Sequence, residues 1–316
     1  MAEKIKLGIS SCLLGNRVRY DGGHKLDYFL RDTLGRYVDF LPVCPEVACG
    51  LGIPRESMRL VGTADSPRLV TTRSGIDHTE RMHAWAAEFL PQLEKENLCG
   101  FIFKKDSPSS GLQRVKVYTG AGPPSKAGSG IFARAFTEYF PRIPVEEEGR
   151  LCDPKLRENF IEAIFALYRW RTLLADTMRL GRLVAFHTRE KLMLLAHSPV
   201  LYRELGLLVA QGKRKPLNVL YDEYESLFVK ALQLKTTPAK HINVLQHILG
   251  YFKKQLTAAE KQELLEILDH YRAGHLPLIV PITLVNHYMR RYEQTYLSQQ
   301  SYLNPHPLEL QLRNHV

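Results

Sequence analysis

IKLGISSC (residues 5–12) is a short apolar run that ends on a cysteine, and VDFLPVC (residues 38–44) repeats the pattern. A third cysteine, Cys49, follows five residues after Cys44 in a segment punctuated by glycine and proline. Residues that follow buried strands lie at one edge of an α/β sheet, where binding sites are usually built. Three thiolates at that edge would hold a metal or a cluster and leave one coordination position open. The pattern therefore predicts a chemical site.

The first half of the chain alternates short β-like runs with helical or loop segments, which indicates an α/β domain with a mixed, partly parallel sheet. The expected strands are Ile5–Ile9, Val38–Val43, Arg68–Thr72, Phe101–Phe103 and Arg114–Tyr118. Residues 76–96 are expected to form a helix that Asp77 caps, because apolar side chains recur there at spacings of three and four. The Gly- and Pro-rich residues 120–130 are expected to form a mobile loop. We place this domain at residues 1–152.

Residues 153–316 are predicted to form an all-α domain. Helical periodicity with proline and glycine stop signals marks each expected helix. These helices are Arg157–Arg179, Leu183–Ala196, Val200–Gln211, Leu217–Leu232, Lys240–Phe252, Ala258–Ala273 and Ile282–Gln299. The segment Thr257–Glu260 has the capping-box pattern.

Composition narrows the class of protein. Five cysteines in a chain of 316 residues do not indicate a disulfide framework, and their number is odd. No apolar run is long enough to cross a membrane and the start of the chain has no signal-peptide core, so we expect a cytoplasmic protein. The formal charge is +10, and residues 155–316 carry 22 basic against 14 acidic side chains, a net +8. This excess suggests nucleic acid as a partner, but many soluble proteins are this basic for solubility alone.

The three cysteines admit two kinds of site. Zinc would bind three thiolates and a water, whereas an iron–sulfur cluster would leave one iron without a protein ligand. The spacing does not choose between them, and any one free cysteine also fits the role of a small buried hydrophobe. Cys99 and Cys152 lack the loop context, so we expect them to pack in the interior.

Polar residues near the same edge form a second group of candidates. Glu46 could transfer protons or orient a water beside the cysteines. The loop at residues 104–111 follows a predicted strand, and its hydroxyls and amides could hold a small polar group. Residues 19–25 form either an ordinary turn or one that presents a guanidinium and an aromatic ring to a nucleotide. The candidate substrate-binding residues are Arg19, Tyr20, Lys25, Asp106, Ser109 and Ser110.

Basic side chains elsewhere could follow a phosphate backbone. The RNA-binding candidates are Lys104, Lys105, His187, Arg189, Lys191 and Lys253. Solvated helix faces around an apolar core explain the helical members of this group equally well.

The first half of the sequence resembles the thiouracil desulfidase family. The resemblance rests on SSCLLG (residues 10–15) with VRYDG (18–22), on CPE (44–46) and on SPSSG (107–111), in order across about residues 5–150. The second half resembles a helical domain of unknown function that is often fused behind this module, through FHTR (186–189) and NVLQH (243–247). The fused architecture resembles enzymes that remove sulfur from 4-thiouridine in tRNA.

This resemblance implies a 4Fe-4S cluster on three cysteines, with the fourth iron open to take sulfur from the base while water replaces it without net redox change. It implies an acid/base role for Glu46 and an assisting role for Ser107. Single-domain members carry their third cysteine at the position of Ser110, so we hypothesise that Cys49 replaces it here. The implied ligand set is Cys12, Cys44 and Cys49.

Our sequence-based hypothesis is a cytoplasmic iron–sulfur desulfidase that acts on thiolated uracil, with thiolated tRNA as partner and neither membrane nor DNA expected. A zinc-dependent hydrolase or deaminase is one alternative, and a non-catalytic RNA-binding iron–sulfur sensor is another. The sequence leaves the oligomeric state open.

Overall fold

A computed structural model describes residues 4–120 and 122–315. The chain divides into two compact units, Met1–Asp153 and Pro154–Val316. No helix in the described ranges is long and apolar enough to span a bilayer.

The first unit combines strands with a few helices, as predicted. Its strands are β1 (Ile5–Ser10), β2 (Val38–Val43), β3 (Met58–Gly62), β4 (Pro67–Thr71), β5 (Phe101–Phe103), β6 (Val115–Tyr118), β7 (Ser125–Gly128) and β8 (Val145–Glu147). Its helices are α1 (Pro45–Ala48), α2 (Thr79–Glu94) and α3 (Ile131–Tyr139). The predicted α/β class is therefore confirmed.

The strands form two sheets. One is parallel, with the order β2-β1-β5-β8. Both faces of β1 are buried, which is typical of a strand inside a parallel sheet. Because Ser10 pairs with Val43, the carboxyl ends of β1 and β2 lie side by side, and β5 flanks β1 on its other edge. The segments that begin at Ser11, Cys44 and Lys104 therefore leave the sheet together.

The other sheet is mixed, with the order β4-β3-β6-β7. The β3–β6 pair is parallel, whereas β3–β4 and β6–β7 are antiparallel. The sequence-based prediction missed β3, and it treated β7 as part of a mobile loop. Both are short, and the buried pattern of β3 is irregular, so neither shows the two-residue alternation that identifies a strand.

Aromatic packing holds the parallel sheet against α3. Phe101 and Phe103 stack with ring centroids 4.3 Å apart, and Phe101 contacts Phe132 and Phe136 of the helix. Gly8 on β1 makes room for this cluster, because a Cβ there would lie 2.2 Å from the Phe101 ring. This packing holds β1 and β5 in place, and these are two of the strands from which the three segments leave the sheet.

The second unit is helical in its described residues, which confirms the predicted class. Its helices are α4 (Pro154–Leu174), α5 (Leu180–His197), α6 (Pro199–Ala210), α7 (Leu217–Leu232), α8 (Pro238–Tyr251), α9 (Ala258–Arg272), α10 (Ile279–Arg291) and α11 (Thr295–Ser298). Trp170 lies at the centre of the core and stacks on Tyr224 at 5.2 Å. The capping box of Thr257 and Glu260 is present, as predicted.

Several local predictions differ from the structure. The helix expected at Arg157–Arg179 already ends at Leu174. The helix expected at 282–299 is two helices, α10 and α11, because residues 292–294 leave the helical path and Glu293 has a positive φ of 48°. Asp77 does not cap α2; it accepts hydrogen bonds from the backbone and hydroxyl of Thr79. Cys99 is buried, as expected, but Cys152 is exposed, so the packing predicted for it is wrong.

Candidate active site

A cavity of about 400 Å³ opens where β1, β2 and β5 end. Cys12 lies on the short 3-10 turn after β1, Cys44 lies directly after β2, and both line the cavity. Glu46 and Ser110 also line it. The structure thus brings together two of the three candidate cysteines, as expected for residues at the ends of neighbouring parallel strands.

Both cavity thiols are shielded from solvent. Burial raises the pKa of Cys12 to about 11, and burial with the nearby Glu46 carboxylate raises the pKa of Cys44 to about 12. The Cys44 thiol donates to Glu46 Oε2 at 3.4 Å. Such thiols stay protonated at neutral pH unless a metal binds, because metal coordination deprotonates a thiol. The pair is therefore chemically suited to a metal rather than to free nucleophilic attack.

Glu46 sits at the centre of the polar contacts. Ser109 donates to its Oε1 at 2.6 Å, and the guanidinium of Arg55 lies 3.9 Å from its Oε2. The side chains of Glu46 and Arg55 are 13% and 10% exposed. One carboxylate oxygen is thus fixed by a hydroxyl, while the other faces Cys44 and the cavity.

The loop at residues 107–111 is held by its own hydroxyls and by α3. Ser107 Oγ lies 3.1 Å from Ser109 Oγ and accepts from the Ser110 amide at 3.1 Å. The amides of Phe132 and Ala133, in the first turn of α3, donate to the Ser109 carbonyl. Ser107 and Ser110 line the cavity, whereas Ser109 is fully buried behind Glu46.

Cys49 has a different environment from Cys12 and Cys44. It ends α1, its thiol donates to the Glu46 carbonyl at 3.3 Å, and it packs in the apolar core. It is absent from the lining of the cavity, where the hydroxyl of Ser110 is present. Among residues 4–120 and 122–315, no three His, Cys, Asp or Glu side chains are grouped closely enough to bind one metal ion.

Other predicted residues form the mouth of the cavity. Arg19, Tyr20, Lys25, Lys105 and Asp106 all line it. Arg19 pairs with Asp21 at 3.5 Å, and the Tyr20 ring is 43% exposed. Lys104 also lines the cavity, and its ammonium pairs with Glu148.

The predicted RNA-binding residues of the helical unit differ in their exposure to solvent. His187 is buried, with its Nδ1 3.2 Å from the Tyr224 hydroxyl, so its side chain is not presented to a polyanion. Burial lowers the pKa of His187 to about 4. Arg189 and Lys253 are exposed, and the ammonium of the half-buried Lys191 lies 4.9 Å from the Tyr296 ring.

Arg55 is a site residue that our sequence-based reasoning missed. Its guanidinium donates to the Val18 carbonyl at 3.1 Å, and its amide donates to the Tyr20 carbonyl at 2.9 Å. It therefore ties the loop of Arg19 and Tyr20 to Glu46. The only signal was its place in the stretch CPEVACGLGIPRE, close after the cysteines.

Comparison with known proteins identifies both units. A family profile described as 2-thiouracil desulfurase matches residues 7–148, and one described as a protein of unknown function (DUF1722) matches residues 191–307. The chain belongs to the 2-thiouracil desulfurase family through its first unit, and it carries the DUF1722 domain in its second. Family membership makes this protein an enzyme of the desulfidase class.

Individual relatives each cover about half of the chain. The uncharacterized protein YbgA of Escherichia coli (strain K12) is 37% identical over 152 residues, which are 48% of this chain and 90% of the relative. The uncharacterized protein YbbK of Bacillus subtilis (strain 168) is 31% identical over 146 residues, 44% of this chain and 95% of the relative. A solved structure of the [4Fe-4S]-dependent thiouracil desulfidase TudS is 32% identical, with a TM-score of 0.40, and the match covers 48% of this chain and 95% of that one.

Proposed function

We propose that this enzyme replaces the sulfur of a thiolated uracil by oxygen with the help of a 4Fe-4S cluster, and that its substrate is 4-thiouridine in tRNA. The reaction consumes water and releases sulfide: the C4–S bond breaks, a C4–O bond forms, and no electrons are exchanged. The observation that carries this proposal is the convergence of Cys12, Cys44 and Glu46 on one cavity.

The donor set supplies part of a cluster site. Thiolates are the ligands that iron–sulfur clusters prefer, and Cys12 and Cys44 supply two of them. Ser110 lines the same cavity, and it stands at the position where single-domain members of the family carry their third cysteine. When bound, the cluster would supply a thiophilic iron for the sulfur that leaves the base.

Glu46 is proposed to move the protons. Its Oε1 accepts from Ser109, so its Oε2 is the oxygen that can take a proton from the attacking water. Arg55 at 3.9 Å compensates the carboxylate charge in this secluded site. After proton transfer, Glu46 can return a proton to the departing sulfur. Ser107 on the wall can hydrogen-bond to a polar edge of the base.

The cavity also suits a nucleotide base. Its volume of about 400 Å³ lies within the range of small-molecule sites. A base in tRNA must leave its stack to enter, as other base-modifying enzymes require. Tyr20 at the mouth offers a ring for stacking, while Arg19 and Lys25 offer positive charge to the adjoining phosphates. In the helical unit, Arg189, Lys191 and Lys253 are proposed to contact tRNA.

The test is turnover by anaerobically reconstituted protein, with mass analysis of the nucleosides from thiolated tRNA. We expect 4-thiouridine to decline and uridine to rise with wild-type protein. Glu46→Gln should reduce this turnover by roughly a hundredfold or more while iron content stays the same, because only proton transfer is lost. Unchanged 4-thiouridine in the presence of iron-loaded wild-type protein would refute the proposal, and bound zinc without visible absorbance would favour a zinc hydrolase.

A further inference from the structure

A second cavity, of about 570 Å³, adjoins the candidate active site. Met58, Lys105, Asp106 and Pro108 line both cavities, so the two form one continuous surface within the first unit. We call this second cavity the basic trough because five of the cationic side chains that line it have no carboxylate partner among residues 4–120 and 122–315. These are Arg59, Lys105, Arg114, Lys116 and Lys126.

Three of these cations form a row across neighbouring strands. Leu60 pairs with Val117, so Arg59 on β3 stands level with Lys116 on β6. Val117 pairs with Ser125, and Lys126 on β7 therefore lies beside Lys116, where a register shift interrupts the β6–β7 ladder. All three are exposed, whereas Leu60 and Val117 face the core. Neighbouring strands are about 5 Å apart, so the row extends over roughly 10 Å.

The acids of the trough do not neutralise this row. Glu147 is buried, and its Oε1 accepts from the Leu112 and Gln113 amides at 2.8 and 3.3 Å. Arg150, also in the lining, is bound to Glu146 at 2.6 Å. Asp106 is thus the exposed carboxylate among the described lining residues. The trough therefore keeps a net positive charge, which attracts an anion.

The trough also contains an aromatic ring. The Arg59 guanidinium lies 5.2 Å from the centroid of Tyr118, two residues beyond Lys116 on the same strand. Cations alternating with an accessible ring are the combination that binds single-stranded nucleic acid, since phosphates pair with the cations and bases stack on rings.

We infer that the basic trough binds the phosphodiester backbone of the RNA next to the nucleotide that enters the active site. This inference rests on the proposed function, because it presupposes an RNA substrate. It assigns that RNA a binding surface on the unit that contains the candidate active site. A backbone fits better than a single phosphate, because the row is extended and its cations stand on three different strands. Binding there would hold the flanking nucleotides while the thiolated base occupies the adjoining cavity.

The test compares the full-length variant Arg59→Ala/Lys116→Ala/Lys126→Ala with wild type for binding of tRNA and for turnover of free 4-thiouridine. We expect tRNA affinity to fall by roughly tenfold or more, and the slope of log affinity against log salt to fall by about 2, because up to three phosphate contacts are lost. Turnover of the free nucleoside should stay the same. Lys95→Ala removes an exposed charge of the same unit outside both cavities and should change neither quantity.

Unchanged tRNA affinity and salt slope in the triple variant would overturn the inference. Equal loss of affinity for uridine monophosphate and for tRNA, with a salt slope that falls by no more than about 1, would also overturn it, because it would assign the row to one phosphate. Lys116→Ala alone repeats the test if the triple variant does not fold. Binding is measured with unthiolated tRNA as well, so a failure of the proposed desulfuration leaves this test intact.

Discussion

At the residue scale, the site depends on how a few side chains hold Glu46. Ser109 is fully buried and donates to one carboxylate oxygen, and Arg55 faces the other. We therefore propose that Ser109 positions Glu46 from the protein interior, whereas the sequence-based prediction assigned it to substrate binding. A short hydrogen bond to a charged acceptor is among the stronger ones in proteins, so its loss should be measurable.

Ser109→Ala tests this role. We expect kcat on the thiolated substrate to fall roughly tenfold to a hundredfold while KM stays the same, because Glu46 loses the hydroxyl that fixes its Oε1. Steady-state kinetics separates the two parameters. Ser129→Ala removes a hydroxyl that contacts only the Gly111 carbonyl in the described residues, and it should leave both parameters unchanged.

A second prediction at the residue scale concerns the position that would supply the third ligand of the proposed cluster, Ser110 or Cys49. Because Ser110 lines the cavity and Cys49 packs in the core, we expect Ser110→Cys to raise the iron content of reconstituted protein and to change its visible absorbance. Cys49→Ser should keep the iron and lower the free energy of unfolding instead, since it places a hydroxyl among apolar side chains. Loss of iron in Cys49→Ser would show that Cys49 moves to the cluster, as we first hypothesised.

At the element scale, the amino terminus of α3 anchors the serine loop. The amides of Phe132 and Ala133 bind the Ser109 carbonyl, and Gly130 packs directly against that peptide. A Cβ on Gly130 would lie 2.5 Å from the Ser109 carbonyl carbon and oxygen. The φ of Gly130 is −62°, so glycine is required here for space alone.

Gly130→Ala should therefore displace the loop from Glu46. We expect turnover to fall at least tenfold, and the free energy of unfolding to fall by about 1–3 kcal/mol, because the added methyl group overpacks a tight contact. Urea unfolding and nucleoside analysis measure the two effects. Gly122→Ala is the matched control, since a Cβ there meets nothing within 4 Å. Wild-type behaviour of Gly130→Ala would show that α3 does not position the loop.

At the scale of the whole molecule, each unit has its own core, and the helical unit buries charge and histidine within it. Arg313 is 4% exposed and donates to Glu158 and Glu162 at 3.2 and 2.8 Å. Burial lowers the pKa of His241 to about 3 and that of His306 to about 4. With His187, these histidines are neutral in the folded protein at pH values where an unfolded chain would protonate them.

The helical unit should accordingly lose stability in mild acid. Between about pH 6.5 and pH 4 the three histidines bind protons in the unfolded chain but stay neutral in the folded protein. Glu158 has the opposite effect and offsets one of these protons, because its raised pKa lets the folded protein bind a proton at a higher pH than the unfolded chain does. The free energy of unfolding should fall by up to about 3 kcal/mol per pH unit near pH 5. Urea unfolding followed by helical circular dichroism at pH 7, 6 and 5 measures this slope.

A histidine variant is the control for this prediction. His241→Gln should flatten the slope of the free energy of unfolding against pH by about 1.4 kcal/mol per pH unit, which corresponds to one proton. A free energy of unfolding that stays constant from pH 7 to pH 5 would contradict the assignment of these histidines as neutral and buried.

The sequence by itself determined the two classes of fold, most of the helices and strands, and the placement of Cys12 and Cys44 at one edge of the sheet. The reason is that apolar periodicity and chain order already place residues at the ends of parallel strands. Only the tertiary structure decided that Cys49 packs in the core while Ser110 faces the cavity, that Ser109 stands behind Glu46, and that Arg55 joins the site. These outcomes depend on side-chain direction and on contacts between distant segments, which local sequence patterns do not encode. The row of Arg59, Lys116 and Lys126 likewise depends on the tertiary structure, because it follows from how three strands pair.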